Sequence, residues 1–153
     1  MNVRTIQRRN GSAQGGFTLL EMIVVLVLIG LIMGLVGPRL FSQADRARTQ
    51  AAETQVKMLK GALETMRLDI GRFPTTDEGL ALLTTRPTDA RLSQRWAGPY
   101  LDGAVPDDPW KNPYQFALTP SENLPFSLYS LGSDNAPGGE GDAADVGFLP
   151  LDR

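Results

Sequence analysis

The chain has 153 residues, with 15 Lys and Arg against 17 Asp and Glu, a formal net charge of −2, and neither His nor Cys. That length suits one modest domain, and the charge offers no basic footprint for nucleic acid. Lacking Cys, the chain has no disulfide framework, thiolate nucleophile or zinc–sulfur site; lacking His, it has no imidazole base or metal ligand.

Proline divides the sequence. Of 11 prolines, only Pro38 precedes Pro74. A proline-poor stretch permits a long helix, whereas a proline-rich one favours turns, short strands and loops. The boundary is expected near Gly71–Pro74.

Residues 1–16 form a polar leader with Arg4, Arg8 and Arg9, no acid, and the ending Gln14-Gly15-Gly16. From Phe17 to Pro38 run 22 residues in which Glu21 is the only charge. About 20 apolar residues cross a bilayer as one helix. The basic leader is expected to stay cytoplasmic while the rest crosses to the far side. An ordinary secretory signal carries its small-residue cleavage site after the apolar region. Ser42-Gln43-Ala44 could be forced into that role, but Gly15-Gly16 sit before the run. A cut after Gly16 leaves the apolar helix on the mature chain.

Glu21 is costly in a membrane helix unless it is paired or interfacial. One reading is a carboxylate that snorkels to the interface. The other needs a cation: cleavage of Gly16–Phe17 gives Phe17 a free amine one helical turn from Glu21. Neutralisation within a chain or between neighbours then lowers the burial cost.

Gly16-Phe17-Thr18-Leu19-Leu20-Glu21 ahead of an apolar run resembles the class III signal of type IV pilins and type II secretion pseudopilins. The resemblance implies cleavage by a prepilin peptidase between Gly16 and Phe17 and N-methylation of Phe17. It also implies that Glu21 aligns an incoming subunit with its neighbour's amine in a filament.

Residues 39–70 contain no Pro, and Gly61 is their only Gly. Leu40, Ala44, Ala47, Ala51, Met58, Ala62, Met66 and Ile70 fall mostly three or four apart, with Val56, Leu59 and Leu63 widening the stripe. This is a helix with one buried face. Glu53 and Lys57 have favourable spacing for a surface pair. A helix from about Phe17 to Ile70 is thus apolar all round in its first half and amphipathic in its second. Its rod would be ~80 Å long at ~1.5 Å per residue. Pro38, with Gly30, Gly34 and Gly37, predicts local melting or kinking around Gly34–Leu40 in an assembled filament.

Beyond Gly71, Thr75 and Glu78 have capping-box spacing ahead of inward-facing Leu80, Leu82 and Leu83. Phe73 and Pro74 are packing residues. Gly98-Pro99-Tyr100-Leu101 reads as a turn leading into a short extended segment. Asp107–Tyr114 is a turn-rich corner, and Tyr114–Leu118 and Phe126–Leu131 read as strands. The predicted architecture is α+β, one long helix against a short antiparallel sheet of about three strands. It divides into a leader (1–16), a transmembrane or filament-core helix (17–38) and a periplasmic domain (39–153).

Arg72–Leu80, Gly98-Pro99-Tyr100, Asp108–Tyr114 and Tyr129–Asp134 resemble the corresponding blocks of major pseudopilins of type II secretion. The similarity runs from Gly16 to about Gly147. It implies a homopolymer in the periplasm, anchored beforehand by a single pass through the inner membrane. Its implied partners are minor pseudopilins, an inner-membrane assembly platform and the peptidase. The function implied is structural, helping folded proteins cross the outer membrane. A surface pilin for adhesion, motility or DNA uptake is the alternative. A membrane-anchored enzyme using Asp107 and Asp108, or the acidic loop after Leu131, as acid/base carboxylates is a third reading, although adjacent acids before Pro more often cap a turn.

The loop Leu131–Val146 carries Asp134, Glu140, Asp142 and Asp145 among glycines, and no basic residue lies between Lys111 and Arg153. Oxygen-rich loops of this kind suit calcium, which takes about 6–8 oxygen ligands; a flexible acidic loop is the plainer alternative. The spacing is not that of an EF-hand. The resemblance implies one structural calcium, held by the Leu131 carbonyl, Asp134, the Ala136 carbonyl, Asp142 and Asp145. Gly139 and Glu140 are weaker candidates.

Overall fold

The structure is a computed structural model that describes residues 16–151, and for 37–42 it describes the backbone alone. The leader, apart from Gly16, therefore lies outside the described residues. The chain divides into two compact units, Met1–Leu40 and Phe41–Arg153.

Helix α1 (Leu19–Ile70) contributes to both units. In the first unit it is apolar on every side: Leu26, Leu31 and Leu35 are 68–71% exposed, and no residue of Leu19–Val36 is buried. The helix runs unbroken through 34–40, so the lone chain shows no interruption at Pro38. The expected melting concerns the assembled filament.

In the second unit α1 buries Ala52, Val56, Leu59, Ala62, Leu63, Met66 and Ile70. This corrects the predicted stripe. Ala44, Ala47 and Ala51 face outward, because alanine sits as readily on a solvated face as on a packed one; Met58 is also exposed, and the Leu40 side chain lies outside the described residues. The branched and long side chains, with more apolar area to remove from water, set the rotation of the helix. Among the described residues Glu53 and Lys57 do not pair; Asp45–Arg48 and Lys60–Glu64 do.

Gly71, at φ +86°, ends α1 where a side chain would be strained. Pro74 is fully buried, and the Phe73 ring lies 4.8 Å from that of Phe126. The capping box forms: Thr75 N–H donates to Glu78 Oε2 (2.8 Å) and Glu78 N–H to Thr75 Oγ1 (3.3 Å). The turn it starts, Gly79–Leu83, is a 3₁₀ helix that buries all three leucines. Arg72 clamps Glu78 with two guanidinium bonds of 2.6 and 2.7 Å. The Arg72 bond holds the Glu78 carboxyl down at about 2.

Helix α2 (Ala90–Arg95) has no counterpart in the sequence reading. Asp89 caps it, accepting from the N–H groups of Arg91 and Leu92. Strands β1 (Gln115–Ala117), β2 (Ser127–Ser130) and β3 (Val146–Phe148) form an antiparallel sheet in the order β1-β2-β3. Phe116 pairs with Leu128, and Tyr129 with Gly147. The first two strands fall inside the predicted segments. The third is β3 rather than the segment after Tyr100. Gly147 makes that pairing possible: a Cβ there would sit 2.8 Å from the Tyr129 Cα.

Candidate functional site

The first candidate site is the start of the apolar segment. Gly16, Phe17 and Thr18 precede the helix in irregular backbone, and Phe17 is 78% exposed. Thr18 begins the helix: its carbonyl accepts from Met22 N–H, and its Oγ1 accepts from Glu21 N–H at 3.2 Å. A hydroxyl that takes an otherwise orphaned amide is ordinary N-terminal capping. The Gly16–Phe17 bond therefore lies outside the helix. Glu21 sits in the first helical turn and is exposed. A carboxylate there is favoured by the helix dipole.

The second candidate site is the acidic loop between β2 and β3. Asp108 is 1% exposed and anchors the approach to it. Its Oδ1 accepts from Trp110 N–H (3.0 Å) and Asn112 N–H (2.8 Å), and its Oδ2 accepts from the Ser130 hydroxyl (2.5 Å). Both oxygens are thus committed to holding a corner, and Asp107 is exposed. Their geometry is that of turn-formers rather than of an acid–base pair. The same carboxylate, after burial, helps push the Tyr114 hydroxyl up out of its ordinary range. Tyr114 stays protonated and donates to Gln55 Oε1 on α1.

Within the loop, Leu131 is half-buried and Asp134 and Ala136 are exposed, while Asp142 and Asp145 are half-buried. Asp134 Oδ1 accepts from Ala136 N–H (3.1 Å), Asp145 Oδ2 from Gly138 N–H (2.7 Å), and Asp142 Oδ1 from the Trp110 indole (3.0 Å). Ser133 N–H donates to the Asp142 carbonyl, tying the two ends together. Gly132, at φ +69°, closes against the far end so tightly that a Cβ would lie 2.8 Å from the Ala143 carbonyl oxygen. A Cβ on Gly139 would collide with that same oxygen.

The donor chemistry fits a hard cation, since the loop offers only carboxylates, carbonyls and hydroxyl. Among the described residues, however, no three acidic side chains gather into one cluster. Asp134, Asp142 and Asp145 are in one loop but not drawn together, so carbonyls must make up much of any coordination shell. The sequence reading named the loop's acids and missed Trp110, whose partner lies 32 residues away.

Residues 39–148 match the family described as Type II secretion system (T2SS), protein G. The chain belongs to the type II secretion system protein G family. Residues 11–37 separately match the prokaryotic N-terminal methylation motif, a span that encloses Gly16, Phe17 and Glu21. The type II secretion system core protein G of Pseudomonas aeruginosa is 39% identical over 142 residues, covering 93% of this chain and 97% of that one. Its counterpart in Vibrio cholerae is 40% identical over 134 residues, covering 88% and 90%. Among solved structures, the major pseudopilin from the type 2 secretion system of enterohaemorrhagic Escherichia coli aligns with a TM-score of 0.58 and 29% identity. It covers 71% of this chain and 92% of that one. Protein G is the major pseudopilin, a structural subunit, and these matches favour the secretion reading over the pilus alternative.

Proposed function

We propose that this protein is made as an inner-membrane precursor whose leader is cut between Gly16 and Phe17 by a prepilin peptidase. Phe17 is then N-methylated and the chain polymerises into a periplasmic pseudopilus. The observation that carries this reading is one conjunction: a helix apolar on every side, entered at a capped start beside Gly16–Phe17, within a matched methylation motif. Such a helix has no face to present to water, so it must pass from lipid to the interior of an assembly. Head-to-tail packing with an open symmetry operator gives a filament. In that packing, Glu21 of one subunit receives the Phe17 amine of the next. Removal of Arg4, Arg8 and Arg9 with the leader leaves 12 basic against 17 acidic side chains, so the assembled surface is acidic. Minor pseudopilins and an inner-membrane platform are the partners of assembly, and the second unit stands in the periplasm.

The loop 131–146 serves as a structural calcium site. The Leu131 and Ala136 carbonyls and the Asp134, Asp142 and Asp145 carboxylates are its ligands. Calcium there would neutralise a run of acids that has no basic residue near it in sequence. The glycines let carbonyls turn inward, and the bond from Trp110 and the Ser133–Asp142 tie fix the loop's ends.

Substitution of Glu21 by Ala tests the assembly reading. The variant should insert and be processed but fail to form filaments or support secretion of folded exoproteins. Normal filaments and secretion would refute the role of Glu21. For the calcium site, Asp134→Ala should abolish any rise in melting temperature with calcium.

A further inference from the structure

We propose that Trp110 is a positioning residue for the cation loop: its indole N–H orients the Asp142 carboxylate for capture of the ion. The inference rests on the calcium reading above and assigns the residue that sets affinity there.

The corner Asp108–Asn112 grips the loop at both ends. At the entrance, Asn112 Nδ2 donates to the Gly132 carbonyl (3.1 Å), and Gly132 N–H donates to Ser130 Oγ (3.0 Å), which is itself bonded to Asp108. Gly132 is held through both its carbonyl and its amide by this knot. At the exit, Trp110 Nε1 donates to Asp142 Oδ1 at 3.0 Å. Trp110 is in turn fixed by its own backbone N–H on Asp108 Oδ1.

The chemistry of this bond is specific. An indole offers one donor and no acceptor, so Trp110 can occupy only one of a carboxylate's roughly four lone-pair sites. Oδ2 and the remaining lone pair of Oδ1 stay available. A carboxylate already held in one orientation loses less freedom when an ion binds than one that rotates in solvent. Asp134, by contrast, accepts from the amide of Ala136, two residues on and within the loop itself. The placement of Asp142 is thus set from outside the loop.

The test uses the mature full-length chain in detergent. Trp110→Phe keeps an aromatic ring and removes the N–H. We expect its calcium dissociation constant to rise roughly tenfold, equivalent to about 1.4 kcal/mol, while its melting temperature falls less in chelator than in saturating calcium. An unchanged dissociation constant overturns the positioning role and leaves the calcium site standing. An equal loss of stability with and without calcium overturns it too, because Trp110 is then merely part of the packing. A wild-type chain that binds no calcium removes the site itself, and the proposal with it.

A second measurement needs no variant. The chain has two tryptophans, and Trp96 donates its indole N–H to the Leu82 carbonyl in the core. With tryptophan labelled by nitrogen-15, calcium should shift the Trp110 indole resonance, slow its hydrogen exchange and leave Trp96 in place. A Trp110 resonance indifferent to saturating calcium contradicts the proposal.

Discussion

The two halves of α1 solve the burial problem in opposite ways. From Ala52 to Ile70 the helix turns one face inward and covers it with Phe126, Leu128, Tyr114 and the leucines of Gly79–Leu83. From Leu19 to Val36 it is apolar all round and buries nothing within its own chain. One half is therefore stabilised intramolecularly, and its defects should appear as loss of folding. The other depends on surroundings, so its defects should appear as loss of insertion or assembly, with the folded unit intact. An exposed apolar surface of that extent marks an interaction site. The contrast explains how a single helix can both anchor a precursor and supply the spine of a filament.

The sharpest way to break the comparison is to damage the intramolecular half. Phe126 is fully buried between Phe73 and Phe116, with ring centroids 4.8 and 5.8 Å away. Phe126→Ala should cost about 3–5 kcal/mol, read as a lowered denaturant midpoint. A loss below about 1 kcal/mol would show that the core is held elsewhere.

Calcium comes next. A ligand that binds only the folded state, present at about 100 times its dissociation constant, stabilises by about 2.7 kcal/mol. For a unit of this size that raises the melting temperature by roughly 10 °C or more. Indifference to calcium and to chelator in a thermal melt would dismiss the site. Gly132→Ala should cost about 1–3 kcal/mol, since it combines a positive φ with a 2.8 Å approach to the Ala143 carbonyl. A Gly132→Ala chain as stable as wild type, with unchanged calcium affinity, would mean that the loop does not close there.

A smaller effect follows from the Arg72–Glu78 clamp. The folded-state pKa of Glu78 lies at about 2, below the ordinary 4.5. Its contribution is therefore fully present above about pH 4.5 and fades as pH falls from there through 2. The pair is partly exposed, so the gain is at most about 1 kcal/mol. Glu78→Gln should melt slightly earlier than wild type at pH 7, and the gap should close in acid. A gap that persists at pH 2 would point to lost packing instead. Smallest of all should be the effect of Val27→Ala on unfolding of the second unit, within about 0.5 kcal/mol. The same change should weaken filaments, visible by electron microscopy as fewer or shorter fibres.

Much of this was legible in the sequence because it depends on strong, local signals. The apolar run, the single Glu21, the capping box and the proline divide each state their structure within a few residues. The core face of α1 was blurred by alanine, which carries too little apolar area to mark a side. Strand β3 escaped notice because it is three residues long, centred on Gly147 and adjacent to an acidic loop. Helix α2, with Leu92 as its only large apolar residue, gives almost no periodic pattern; Asp89 was its one signal. At the loop, residue types pointed to the chemistry, but the grip of Asp108, Trp110 and Asn112 spans 20 to 32 residues. Contacts across such distances come from the fold and leave no spacing rule to read.

The most direct test is the intact mass and amino-terminal sequence of the protein recovered from membranes and from filaments. The polypeptide should begin at Phe17, carry one methyl group on its amine and retain the whole segment to Val36. A chain beginning after Ser42-Gln43-Ala44, stripped of that segment, would contradict the account, since nothing would remain to anchor the precursor or to form the polymer's interior.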